Sequence, residues 1–480
     1  MSVRTAAALL VIVAFAGSAG AAPKGGKGSG KARPKPVPAA GMPDDPYAPV
    51  VPPPVVAPVP TPGHDAHPGK PSQVPDDPYV VAAIPPRLAI TDLPAVQGLL
   101  AVQHLGGWLL CDREGENPIA RRLVAPIGNP SHVWFYLLPA KGAPVKLVYA
   151  AEQHDFDHVA GSVITYTGHK DMAKQLAALL KGRGTVAVEY SVRAAVPAVS
   201  RVDAGTIELI RATGVKIASS SNLVQYAKAT WGDAGRTAHG LAAHHLEALK
   251  VEAMAWLAAQ LQQGGKISEY DLQQHIVRGM TTRGLVGPPP AIATGANTAD
   301  PFYVPTVART QVIARGDLLV VGLAGKLARP DGIYAALTWV IAVDAAVQPD
   351  AAQAFAAVKA ARDAAIATIT DRVKQGRPIS GAEVDRAARA YFKKAGFSDR
   401  VLHRTGHSLD DDLNGSGADL DDYDVQDTRI LTVGTGFTIG PGLYAASAFG
   451  VRTEVSAFLT PGGVELSTAT QDAIEPLFAK

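Results

Sequence analysis

With 480 residues, of which 47% are hydrophobic and 18% charged, the chain can bury about two or three cores, which excludes a wholly disordered or disulfide-stapled mini-protein. Lys and Arg number 45 against 43 Asp and Glu, and a net charge of +2 offers no electrostatic footprint for nucleic acid or an anionic membrane. The single cysteine, Cys111, can neither close an internal disulfide nor build a thiolate metal site.

Arg4, the apolar run 6–17 and Ala19-Gly20-Ala21 have the order of an export signal cleaved near Ala21. This predicts a secreted or periplasmic mature protein. The run is shorter than the about 20 residues a spanning helix needs, and no later stretch supplies one. Residues 22–88 hold about half of the chain's 37 prolines, begin with Lys24, Lys27, Lys31, Arg33 and Lys35, and show no apolar period. They read as a disordered, extended linker that favours polyproline II. PDDPY occurs in it twice, at 43–47 and 75–79, as do His64 and His67, and both features read as low-complexity spacer.

A folded region is expected from 89 on, an α/β domain over 89–232 and a second domain over 233–480. Strand-like runs at 107–112, 132–140, 145–152 and 185–191 alternate with an amphipathic helix at 171–182. Helices are predicted at 204–213, 221–231 and 238–263, the last stopped by Gly264-Gly265. Ser268 and Asp271 form a capping box for the next, which ends near Gly284. Further on, strands at 316–327 and 334–343 precede helices at 350–375 and 382–395. His239, His244 and His245 are expected on a polar helix face, His154 and His158 on the surface, and Cys111 in the core. Neither GTGFTIGPG nor Ser416 has the context of a phosphate loop or a nucleophile elbow.

Four motifs follow in order: GDLLVV (316–321), HRTGHS (403–408), FTIGPGLY (437–444) and GVRTEV (450–455). Their order and spacing resemble the pita-bread metallopeptidases, in particular the branch of Xaa-Pro aminopeptidases, prolidases and creatinase. The resemblance implies a creatinase-type amino-terminal α/β domain followed by an α+β pita-bread domain of pseudo-twofold curved sheets. It also implies two divalent metals on five side chains, at positions that here carry Gly322, Ala336, His407, Gly440 and Glu454. Three of these lack a ligand atom, and one His with one Glu cannot enclose two divalent ions. Substrate positions differ as well. Phe302 and Asn414 stand where relatives carry His, while His403 is retained. Phe302 also removes the histidine that creatinase uses for metal-free proton transfer.

The expectation is therefore a pseudopeptidase with no cofactor and a peptide or protein ligand, with candidate residues His403, His407, Arg452 and Glu454. A pairing of His407 or Arg452 with Glu454 competes with a single-zinc site completed by His403 or Asp410 to Asp412. The alternative function is an active proline-specific aminopeptidase with an unusual site for Mn, Co or Zn. Separately, Asp410, Asp412, Asn414 and Asp421 have the spacing of positions 1, 3, 5 and 12 of a calcium loop, though without its terminal Glu or flanking helices. The family resemblance also allows a homodimer.

Overall fold

The computed structural model describes residues 90–478, so the predicted export signal and the whole proline-rich segment 22–88 lie outside the described residues. The first elements are α1 (Leu93–Val102), β1 (Gly107–Asp112), α2 (Pro118–Val124), β2 (Trp134–Pro139), β3 (Val145–Tyr149), β4 (Ser162–Tyr166), α3 (His169–Leu180), β5 (Thr185–Val188), α4 (Ala204–Ala212) and β6 (Lys216–Ser219). The six strands form one mixed sheet in the order β4-β3-β2-β1-β5-β6. Every residue of β1 and β2 is buried, because helices cover both faces. Trp108 and Leu110 meet α1 and α2 on one side, and Leu109 and Cys111 meet α3 and α4 on the other. This explains why both strands read as unbroken apolar runs rather than alternating ones.

The stretch 221–231 is not one α-helix: a short α5 (Ser221–Val224) passes into a π-helical turn over Gln225–Ala229. Long helix α6 (Asp233–Gln262) and α7 (Glu269–Thr282) follow, α7 opening with the Ser268–Asp271 capping box. They cover one face of a sheet made from β7 (Leu285–Val286), β8 (Ala291–Thr294), β9 (Leu318–Leu327) and β10 (Ala335–Ala342). Helices α8 (Pro349–Lys374) and α9 (Gly381–Lys394) enclose another core with later strands. Those strands are β11 (Ser408–Leu409), β12 (Gly436–Ile439), β13 (Gly442–Ala445), β14 (Phe449–Arg452), β15 (Val455–Thr460) and β16 (Gly463–Leu466), with a final β17 (Glu475–Pro476) beside β10.

Two sheets meet where β10 crosses β15. Thr338 and Glu454 exchange both backbone hydrogen bonds, at 3.1 and 3.2 Å. The sequence expectation for His239 is corrected here. It is 1% exposed, its ring lies against Trp231, and its Nδ1–H donates to the Tyr334 carbonyl at 2.8 Å. Trp231, just after the π-turn, and Tyr334, just before β10, close around that ring, which a helix read in isolation does not reveal.

Candidate functional site

The T-G-H segment is held by its backbone. Asp385 of α9 accepts the Thr405 N–H at 2.9 Å, and Thr438 accepts the His407 N–H through its hydroxyl at 3.1 Å. Gly406 has no alternative: a β-carbon there would lie 2.0 Å from the Thr438 carbonyl oxygen. His407 donates Nδ1–H to the Ser408 carbonyl at 3.2 Å, which leaves Nε2 with its lone pair facing Glu454 Oε1 at 3.8 Å. The two do not hydrogen-bond. Glu454 is instead engaged by Arg452, whose guanidinium donates to Oε1 at 2.8 Å, and by the Thr338 hydroxyl, which donates to Oε2 at 2.9 Å.

The cluster extends through Tyr444. His403 gives its Nδ1–H to the Arg404 carbonyl, so Nε2 accepts the Tyr444 hydroxyl at 2.7 Å. Arg452 reaches the same hydroxyl. The result is a chain from His403 through Tyr444 and Arg452 to Glu454 and Thr338. Burial pushes Glu454 upward, but Arg452, His407 and the Thr338 hydrogen bond outweigh it and hold its carboxyl below the usual range. Burial, aided by the Arg452 charge, takes His403 down to about 3, and His407 is likewise lowered chiefly by burial. Both imidazoles are neutral at pH 7, and Tyr444, at about 12 from burial, stays protonated.

Gly322, Ala336 and Gly440 surround this cluster without donors of their own. Gly322 pairs with Thr338 across β9 and β10, and a β-carbon on it would stand 3.4 Å from the Thr338 hydroxyl. Ala336, two residues before Thr338, lies on the same face of β10, its backbone bonded both ways to the Ser456 hydroxyl at 2.8 Å. A β-carbon on Gly440 would meet Glu454 Cγ at 3.0 Å and Oε1 at 3.2 Å. The Glu454 side chain fills the space a longer residue at 440 would need. Between Gly322, Thr338, Tyr444 and Arg452 remains a cavity of about 40 Å³, room for a few waters.

A dinuclear metal pair does not fit this donor set. Among the described residues, neither His407 nor Glu454 belongs to a group of three His, Cys, Asp or Glu side chains close enough to share an ion. His403 is turned to Tyr444, and Asp410 to Asp412 form a separate group. Phe302 is 74% exposed and sits in sequence between Pro301 and Tyr303, which line the cavity beside Thr338.

The calcium-loop expectation is corrected by the same geometry. Lys228, from the π-turn, places its ammonium 3.0 Å from Asp410, 3.0 Å from Asp411 and 2.8 Å from Asp412. The other two proposed ligands point elsewhere: Asn414 accepts from Arg404 at 3.0 Å, and Asp421 from the N–H groups of Tyr423 and Asp424. A lysine supplied from 182 residues away in sequence does the work the spacing assigned to an ion. Thr338 and Tyr444 carried no sequence signal of their own, although Tyr444 ends a quoted motif and Thr338 lies in the strand predicted at 334–343.

Comparison with known proteins agrees with this framework. Residues 236–461 match the model of metallopeptidase family M24. An uncharacterized peptidase of Staphylococcus haemolyticus is 30% identical over 103 residues, 20% of this chain and 26% of that protein. The putative dipeptidase YkvY of Bacillus subtilis is 28% identical over 211 residues, 43% of this chain and 51% of that one. The chain thus aligns with about a quarter to a half of the length of such relatives. The fold match is longer: dipeptidase PepE from Mycobacterium ulcerans superposes with TM-score 0.62 at 21% identity, over 81% of this chain and 98% of that one. A recombinant prolidase from Thermococcus sibiricus gives 0.57 at 18% identity, over 81% and 99%. The carboxy-terminal part of this chain, residues 236–461, therefore belongs to metallopeptidase family M24 and carries its pita-bread fold.

Proposed function

We propose that the protein is an exported M24 pseudopeptidase, without a dinuclear metal and without Xaa-Pro hydrolysis, which holds a peptide or protein ligand at the cleft. The observation that carries this reading is the state of Glu454. Two divalent ions need several anionic oxygens to offset desolvation and mutual repulsion. Here Gly322, Ala336 and Gly440 offer none, and Glu454, the remaining carboxylate, is spent on Arg452 and Thr338. A guanidinium beside Glu454 also repels a cation approaching His407 Nε2.

The cavity at the cleft floor is too small for a peptide, so the proposed ligand would rest outside it, beside the exposed Phe302. The test is elemental analysis of the purified mature protein beside an Xaa-Pro peptide hydrolysis assay with added manganese, cobalt or zinc. Substoichiometric metal without turnover is the expected result. Turnover abolished by His407→Ala and by Glu454→Ala would overturn it. Amino-terminal sequencing of the protein from the periplasmic or culture fraction checks export, with cleavage expected near Ala21.

A further inference from the structure

A cavity of about 560 Å³ opens in the amino-terminal α/β part, and its lining shares no residue with the cleft cavity around Thr338 and Arg452. It lies over the carboxyl ends of β1, β3 and β4, at Asp112, Tyr149 and Tyr166, and against the starts of α3 and α4. In an α/β sheet this is where ligands sit, at the point where connections diverge. Here β3 to β4 extends the sheet one way and β5 to β6 the other, with α3 crossing between them. The volume is that of a site for a ligand of drug or short-peptide size.

Its lining has three chemically distinct parts. The apolar wall is preorganised: Tyr149 stacks on His132 at 3.7 Å and meets Tyr166 edge-on at 5.6 Å, with Met172 beside them. His132 is fixed by Glu152 at 3.0 Å and the Tyr166 hydroxyl by the Val133 carbonyl at 2.6 Å. A cationic part is supplied by Arg201, which spends only Nε, on the Ala198 carbonyl, and has no carboxylate partner among the described residues. An anionic part is supplied by Asp203, at the start of α4, and by Glu116. Asp203 also caps α4 by accepting the Thr206 N–H at 2.9 Å, and Glu116 also faces Arg113 at 3.6 Å; a simple anion would still meet two carboxylates, and a simple cation would meet Arg201. A molecule with separated charges of both signs and an apolar body satisfies all three parts.

We propose that this crevice binds a free, zwitterionic short peptide, its carboxylate at Arg201, its ammonium at Asp203 and Glu116, and its apolar side chains on the Tyr149–Tyr166 wall. The site is independent of the proposed role of the M24 cleft. The test is calorimetric titration of the full-length mature protein with leucyl-phenylalanine, with its N-acetyl form and with its C-terminal amide. The unmodified dipeptide is expected to bind and each capped form to bind at least about tenfold more weakly. Arg201→Gln should weaken the dipeptide by a similar factor and leave the amide unaffected. Met172→Trp, which fills the crevice, should abolish binding, while Phe302→Ser beside the cleft cavity should leave it intact. Thermal melts confirm that each variant is folded. No heat up to about 5 mM dipeptide, equal binding of the three forms, or loss with Phe302→Ser but not with Met172→Trp would overturn the proposal.

Discussion

Arg452 ends β14 and Glu454 stands just before β15, and each holds the other in a largely buried site, the Glu454 side chain being 8% and the Arg452 side chain 24% exposed. Removing one partner leaves an uncompensated charge, which costs about 3–5 kcal/mol, whereas replacing both with apolar groups of similar shape is far less damaging. Arg452→Met is therefore expected to lower stability by that amount, and Arg452→Met combined with Glu454→Leu by clearly less than the sum of the single changes, as read by denaturant melts. The buried imidazoles set an acid limit. His403 and His239 fall to about 3 and about 4, mainly by burial, from an ordinary value of 6.5. Between those values the unfolded chain binds the proton and the folded one does not. Stability contributed by the neutral rings is thus complete above pH 6.5 and is lost as the pH falls toward 4 and 3. His239→Phe should flatten the decline of melting temperature between pH 6.5 and 4. At this scale the sequence already contained His403, His407, Arg452 and Glu454. It did not contain their partners, because Thr338 lies 116 residues and Tyr444 41 residues from the groups they bind.

The elements were readable where their signals are local. The capping box read at Ser268 opens α7, and the structure adds a second, unread one at Ser380 that opens α9, each with its N3 carboxylate bonded back to the cap. Ser380→Ala should cost about 1 kcal/mol, measurable as a shift of the unfolding midpoint. Strands β1 and β10 read correctly because burial on both faces leaves a continuous apolar run. Strand β4 was missed because its exposed positions break that run, and the helix at 221–231 was overextended because nothing in SNLVQYAKATW marks the π-turn. That turn matters. It aims Lys228, whose side chain is 3% exposed, at three carboxylates, and burial opposes its charge while Asp410, Asp411 and Asp412 keep it protonated. Lys228→Met should destabilise by about 3–5 kcal/mol, and calcium at millimolar concentration should leave the melting temperature of the unaltered protein unchanged because the ammonium already occupies the triad.

For the whole molecule, the order of helices and strands and four motifs sufficed to indicate a pita-bread fold, and the match to M24 proteins over most of the chain agrees. What the linear order could not disclose is how the acidic loop after β11 is tethered to the amino-terminal α/β part. Arg122 of α2 binds Asp411 at 2.8 Å, Lys228 binds all three aspartates, and Trp231 donates to the Leu409 carbonyl at 2.9 Å. Partners separated by about two hundred residues or more along the chain meet in one place.

The tether has a consequence for anyone dividing this protein by its family match. A fragment starting at 233 would keep every M24 motif yet discard Arg122, Lys228 and Trp231, leaving three adjacent carboxylates with Lys326, which reaches only the Asp411 carbonyl at 2.6 Å. Such a fragment should express poorly or be cut within 409–417 by added protease, while the chain from 89 onward resists. Residues 236–461 carry the family match, and the smallest piece expected to fold on its own begins well before them.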